Sequence, residues 1–345
     1  FFEMKAVRFV GAKKPLELHE VPLPEIGQGD VLVRVRAAGI CHSDVHYRTG
    51  IAKMDRYPIT LGHEVAGVIE AVGENVGTLH IGDRVCLHYL ITCGTCDYCF
   101  TGHEQFCSQA NMLGKDVDGG YAEYISVPAK NAVILPDAIP FEEGATLMCA
   151  SATALHALLK SRMSEGNTVA IFGIGGLGIS AVQLAIAMGA TAVFAIDLNG
   201  DKLALAESYG AIGINPIKTD PVQMIRKLSG GKGADVVLEM IGLPITQNQA
   251  IRSASPMGRV VMVGLSDQPV LVDIYREILG KEIELIGSND HNLHELSLLM
   301  QYASDGRLDT SRVVSRIVPL DAVAINEVLD SLERFDGGVR SVIVP

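Results

Sequence analysis

The chain has 345 residues, 48% of them hydrophobic and 20% charged, the composition of a soluble globular protein long enough for two domains. Its 28 basic and 40 acidic residues leave a formal net charge of −12, which argues against a general nucleic-acid binder, since that needs a basic face to displace counterions. No apolar run reaches the roughly 18 residues of a membrane span, and Phe1-Phe2-Glu3-Met4 lacks the parts of a secretory signal, so the expected location is cytoplasmic.

Up to about Ala145, short β-branched runs punctuated by Gly and Pro predict an irregular all-β domain, with strands at Val31–Val35, Val65–Val72, Arg84–Leu87 and Ala122–Val127. Within it lie Cys41-His42-Ser43-Asp44-Val45-His46 and Gly62-His63-Glu64, followed by Cys93, Cys96, Cys99 and Cys107 in the spacing CxxCxxCx7C. Four thiolates on one short loop suit a tetrahedral zinc ion in a closed site, which holds a loop and does no chemistry. Disulfides are the alternative and need an oxidising compartment. A catalytic zinc needs three nitrogen or sulfur ligands and one open position. Cys41 and His63 are candidates, with Cys149 as the third. Taken singly, Cys149 reads as a small buried hydrophobe and His63 as a turn cap, so their co-occurrence carries the metal reading. Cys86 sits in a strand pattern and reads as core.

From Thr168 the texture changes. The apolar strand Val169–Phe172 meets Gly173-Ile174-Gly175-Gly176-Leu177-Gly178, and a helix is expected over Leu177–Met188. Nineteen residues after Gly178, Asp197 ends the strand Val193–Ile196. In this setting Gly173, Gly175, Gly176, Leu177 and Gly178 form a dinucleotide turn, with a pyrophosphate at the helix N-terminus and Asp197 on the ribose hydroxyls. A 2′-phosphate would meet that carboxylate, and Leu198 and Asn199 supply no arginine, so NAD is expected rather than NADP. A helix over Asp201–Tyr209 stops at Gly210. Strands follow at Asp235–Glu239, Arg259–Val263 and Glu284–Ile286, then helices at Leu293–Ala303 and Asp321–Arg334 and a strand at Val339–Val344. Alternating strands and helices imply an α/β unit with a doubly wound parallel sheet.

In order and separation, Gly39–His46, Gly62–Glu64, the four-cysteine loop and Gly173–Gly178 resemble zinc-dependent alcohol dehydrogenases of the medium-chain dehydrogenase/reductase superfamily, over Met4–Pro345. The resemblance implies a GroES-like β-rich catalytic domain from residues 1–149 and 288–345, and a Rossmann NAD-binding domain from residues 150–287. It also implies two zinc ions per chain. The catalytic one is held by Cys41, His63 and Cys149, and the structural one by Cys93, Cys96, Cys99 and Cys107. Glu64 resembles the family's glutamate that can approach the metal, and Asp44 the carboxylate that orients the histidine ligand.

Ser43 and His46 match the family's proton relay. In the relay that the resemblance implies, Ser43 would take the alcohol proton and pass it through the nicotinamide ribose to His46, and zinc held by Cys41, His63 and Cys149 would supply the Lewis acidity for hydride transfer to NAD. Read alone, Ser43 could cap a helix and His46 could be a surface histidine. His42 and Arg340 resemble contacts to the cofactor pyrophosphate. Lys202 resembles a ribose contact, with a solvated helix lysine as its alternative.

The chain lacks the long insertion of the animal liver-type enzymes and resembles the shorter microbial forms. These imply a homo-oligomer, a tetramer more than a dimer, although the sequence itself shows no interface. The expected partner is a small alcohol or carbonyl compound, with no nucleic acid or membrane. Tyr47, Tyr57, Leu90, Met112 and Ser288 are cleft candidates by position. Three functions stand: an NAD-dependent dehydrogenase of primary or secondary alcohols; a polyol or other hydroxy-metabolite dehydrogenase, sorbitol- or threonine-type; and a nucleotide-binding protein without dehydrogenase activity. The intact set Cys41, Ser43, His46, His63, Glu64 and Cys149 speaks against the third.

Overall fold

Strand Asp30–Ile40 is apolar along most of its length because neighbours flank it on both edges. The computed structural model describes residues 3–334 and 338–345. Its contacts divide the chain into one unit of Phe1–Cys149, Asn292–Ser304 and Thr310–Pro345, and another of Ala150–His291 and Asp305–Asp309.

In the first unit, a sheet runs in the order Ala132–Ile134, Arg84–Leu87, Glu64–Val72, Asp30–Ile40, Arg340–Val344, Val314–Pro319, with Tyr124–Pro128 also paired to Asp30–Ile40. A smaller sheet joins Glu17–Pro22, Glu3–Phe9 and Ile59–Thr60. The chain's last strand lies antiparallel to Asp30–Ile40, so both ends of the sequence build one core around Val33, Ile40, Val65, Ile69 and Leu87. Register places Gly39 opposite Glu64 on one side and Val342 on the other. The end of this strand, just before Cys41, therefore collects residues far apart in sequence. A helix not expected from the sequence, His42–Thr49, starts there and ends at Gly50, whose φ of +81° suits a glycine C-cap. Helix Phe141–Thr146 continues into a π-helical turn, Leu147–Ser151, which carries Cys149. Such wide turns recur at functional sites.

The second unit holds a six-stranded, wholly parallel sheet in the order Ile212–Ile214, Ala192–Ile196, Thr168–Phe172, Ala234–Glu239, Ala254–Met262, Glu284–Gly287. By position within the unit this is strand order 3-2-1-4-5-6, the doubly wound dinucleotide-binding topology. The chain is thus an α/β protein, as its alternating pattern implied. Asn199 and Asp220 cap the helices Gly200–Ser208 and Pro221–Leu228 by accepting two backbone N–H bonds each. The expected helix over Leu293–Ala303 is a 3₁₀ turn, Leu293–Glu295, followed by helix Leu296–Ser304. The units part after His291 rather than after residue 287, and Asp305–Asp309 returns to the second. Asp309 is held there by Gln183, whose Oε1 accepts its N–H at 2.7 Å and whose Nε2 donates to its carbonyl at 2.9 Å.

Candidate active site

Cys41 precedes helix His42–Thr49, His63 precedes strand Glu64–Val72, and Cys149 sits in the π-helical turn. One ligand atom from each of Cys41, His63, Glu64 and Cys149 lies within 4.8 Å of all the others. The Cys41 and Cys149 sulfurs are 4.0 Å apart. A Zn–S bond of about 2.3 Å in a tetrahedron sets a sulfur–sulfur edge of about 3.8 Å. Both His63 ring nitrogens and Glu64 Oε2 are buried without a hydrogen-bond partner. Native interiors rarely leave such atoms without a ligand. The donor set fits a zinc ion.

Burial and crowded charge shape the protonation of this set. Contact with Cys149 holds the Cys41 thiol well below its ordinary range despite burial, helped by Arg340 and His63. The same contact, with burial, pushes Cys149 up. Burial disfavours a charged His63, yet Cys41, Asp44 and Glu64 around it push the imidazole up to about 9. Burial raises Glu64 to about 8 against the pull of Arg340. A dication entering here would displace the protons of Cys149 and His63.

Around the donors, Asp44 Oδ2 accepts the Cys41 N–H at 2.9 Å and the Tyr121 hydroxyl at 2.8 Å. Its Oδ1 faces His63 Nδ1 at 3.9 Å, an electrostatic contact longer than a hydrogen bond. Tyr121 was not singled out in the sequence. Its N–H donates to the Leu61 carbonyl, and a Cβ at Gly62 would strike its ring, so it braces the segment carrying His63 as well as Asp44. The buried Tyr89 ring stands edge-on to His63 with centroids 5.3 Å apart, a second neighbour the motifs did not reveal. Arg340, expected on a pyrophosphate, is buried and pairs Nη2 with Glu64 Oε1 at 2.5 Å. Ser43 Oγ lies 3.7 Å from Cys41 Sγ. His46 follows three residues later on the same helix, a spacing that shares a face. The His42 and His46 rings meet edge to face at 5.1 Å.

The four-cysteine loop is a second set. Sulfur–sulfur distances are 3.5 Å for Cys96–Cys99, 3.6 Å for Cys107–Cys93 and 3.8 Å for Cys93–Cys99, close to the same tetrahedral edge. None of these cysteines forms a disulfide. The Thr95 and Cys96 N–H groups point at the Cys93 sulfur and bring its thiol down to about 5, so this residue is prepared as a thiolate. This loop also fits zinc.

In the second unit, Gly173 has φ +95°, a Cβ at Gly178 would strike the Gly173 carbonyl oxygen, and nothing lies within 4 Å of a Cβ at Gly175. Tight turn and open approach are what a pyrophosphate needs at the start of helix Gly176–Ala187. Asp197 follows strand Ala192–Ile196, with Oδ2 accepting the Ile174 N–H at 2.8 Å and Oδ1 the Asn199 N–H at 2.9 Å. Lys202 lies in the first turn of helix Gly200–Ser208. Among the cleft candidates, Tyr47 meets Met112 at 3.6 Å and Leu90 pairs with Met112 across a short ribbon. Tyr57 is 62% exposed. Ser288 is buried in the second unit.

Two family models match the chain: an alcohol dehydrogenase GroES-like domain at residues 27–137 and a zinc-binding dehydrogenase at residues 176–304. An alcohol dehydrogenase of Geobacillus stearothermophilus is 40% identical over 332 residues, covering 95% of this chain and 96% of that one. The chain belongs to the zinc-dependent alcohol dehydrogenases of the medium-chain dehydrogenase/reductase superfamily. An L-threonine 3-dehydrogenase of Symbiobacterium thermophilum is 38% identical over 82% of each chain. The structure of a zinc-binding dehydrogenase from Sinorhizobium meliloti bound to NADP has a TM-score of 0.91 and 31% identity, covering 100% of both chains.

Proposed function

We propose that this dehydrogenase interconverts primary or secondary alcohols and their aldehydes or ketones with NAD, moving a hydride from the carbinol carbon to the nicotinamide and a proton to solvent. The observation that carries the reading is the buried set Cys41, His63 and Cys149, with both His63 nitrogens left without a partner. Bound there, zinc supplies Lewis acidity toward the alcohol oxygen, and a second zinc on Cys93, Cys96, Cys99 and Cys107 secures the loop. Ser43 accepts the hydroxyl proton, and His46, on the same helix, delivers it to solvent. Asp44, held by Tyr121 and the Cys41 N–H, fixes the field at His63. Gly175 leaves backbone room for a pyrophosphate, and Asp197 takes the ribose hydroxyls and repels a 2′-phosphate. His42, Lys202 and Arg340 are the remaining proposed cofactor contacts.

Exposed apolar residues in the stretch of chain that precedes the edge strand Glu284–Gly287, among them Leu271 at 89%, Tyr275 at 73% and Leu265 at 70%, support a homo-oligomer, with the tetramer as our reading. No helix among the described residues is long and apolar enough to cross a membrane, and we place the enzyme in the cytoplasm. A hydroxy-metabolite substrate is the second reading, supported by the similarity to a threonine dehydrogenase. Initial rates on alcohols, polyols and 3-hydroxy acids with NAD and NADP test both points. Faster turnover with NADP at equal concentration would refute the Asp197 argument, and a preference for a polyol or hydroxy acid would favour the second reading.

A further inference from the structure

Gly39 does not need to be glycine for its backbone, since its φ is not among the positive values of this chain. The requirement is space. A Cβ built there would strike Glu64 Oε2 and lie 3.0 Å from both Cβ and Cδ of the same residue, and these are its three nearest atoms. The two residues are register partners in adjacent strands, so the carboxylate folds back over the bare Cα of Gly39. From the other side, Arg340 Nη2 donates to Glu64 Oε1 at 2.5 Å. Glu64 Oε2 is left buried with no hydrogen-bond partner, while the residue contributes an oxygen within 4.8 Å of the Cys41, His63 and Cys149 ligand atoms.

We propose that Gly39 and Arg340 form a seat for the Glu64 carboxylate, and that the missing side chain at position 39 decides where this carboxylate rests beside the metal donors. Gly39 is then a positioning residue, acting only through Glu64. The seat holds one carboxylate oxygen on the guanidinium and leaves the other over the bare Cα of Gly39. Any side chain at position 39 evicts the carboxylate, either into the donor set or out of its pairing with Arg340. The inference rests on reading Cys41, His63 and Cys149 as a metal site.

The test is Gly39→Ala made in the wild-type and in the Glu64→Ala background, followed by thermal unfolding and by the visible spectrum of the cobalt(II)-loaded protein. Overpacking a buried strand should lower Tm by about 5 °C in the first background, and by less than about 2 °C in the second, where the obstructing carboxylate is gone. The cobalt bands of Gly39→Ala should differ from wild type, whereas those of the double variant should superimpose on Glu64→Ala. Equal losses of Tm in both backgrounds, or an unchanged cobalt spectrum, would overturn the seat. If Gly39→Ala fails to fold and the double variant folds, the proposal stands. If both fail while Glu64→Ala folds, position 39 serves backbone packing and the proposal falls. Metal content of the wild-type chain tests the metal reading separately: a chain with no metal at Cys41 overturns the assigned role of the seat, whatever the Tm shows.

Discussion

The two cysteine-bearing clusters put the same element in opposite surroundings. Cys93, Cys96, Cys99 and Cys107 sit close together on one loop, three of them partly exposed, with four sulfur donors and local N–H groups supporting the thiolate of Cys93. Cys41, His63 and Cys149 are buried, mix sulfur with nitrogen, and depend on Asp44, Tyr121, Glu64 and Arg340 from other elements. A closed, like-donor set is saturated by one ion and has nothing left to do. A mixed, buried set with unpartnered atoms keeps capacity for a reacting oxygen, and its tuning comes from side chains that make no metal bond.

The largest effect that sharpens this contrast is expected at a buried donor. His63→Ala should abolish hydride transfer while NADH binding, followed by its fluorescence, stays near wild type. Full turnover in this variant would break the assignment.

His88 gives a smaller effect, on stability, and shows that burial alone does not set the properties of His63. Burial holds His88 down to about 4 against the opposing pull of Glu295, whereas surrounding anions push His63 up to about 9. Between about pH 4 and 6.5 the unfolded chain binds the His88 proton and the folded one does not, so stability rises with pH across that window. The contribution is about 3 kcal/mol when fully developed and is lost as pH falls toward 4. Urea titrations of wild type and His88→Gln should show that dependence flattened in the variant. Parallel curves would contradict it.

Tyr121→Phe removes one hydroxyl from Asp44 and keeps the ring that packs on the His63 segment. Zinc release to a chelator should quicken by about tenfold from the buried site and stay unchanged from the loop. Equal acceleration at both sites would mean a general loosening. The smallest effect is expected for His46→Gln, with turnover falling several-fold at low pH and less at high pH, where solvent can take the proton unaided. An unchanged pH profile would remove His46 from the proton path.

Local spacing made much of this legible. CxxCxxCx7C and the six residues from Gly173 to Gly178 each encode a whole structure within one loop, and alternating strands and helices gave the parallel sheet. Cys41, His63 and Cys149 were named from the sequence through their joint occurrence. Other features depend on pairings that no window contains. Tyr121 meets Asp44 across 77 positions and Arg340 meets Glu64 across 276, the second pair joined by strand register at the end of Asp30–Ile40 and the first by the backbone bond of Tyr121 to Leu61. Arg340 was therefore read only as a proposed cofactor contact, and its pairing with Glu64 was not visible in the sequence. Helix His42–Thr49 was missed because its sequence carries few apolar residues to mark a period; its start is set by Asp44 bonding back to the Cys41 N–H.

We assign chemistry to the buried set and support to the loop. Zinc content, Tm and turnover measured together on Cys41→Ser and Cys99→Ser test it most directly. Each variant should fall from two zinc ions per chain to one. Cys41→Ser should keep its Tm within a few degrees and lose turnover, whereas Cys99→Ser should lose Tm first and retain turnover per folded molecule. A Cys99→Ser protein that is inactive with its Tm intact, or an active Cys41→Ser protein, would contradict it.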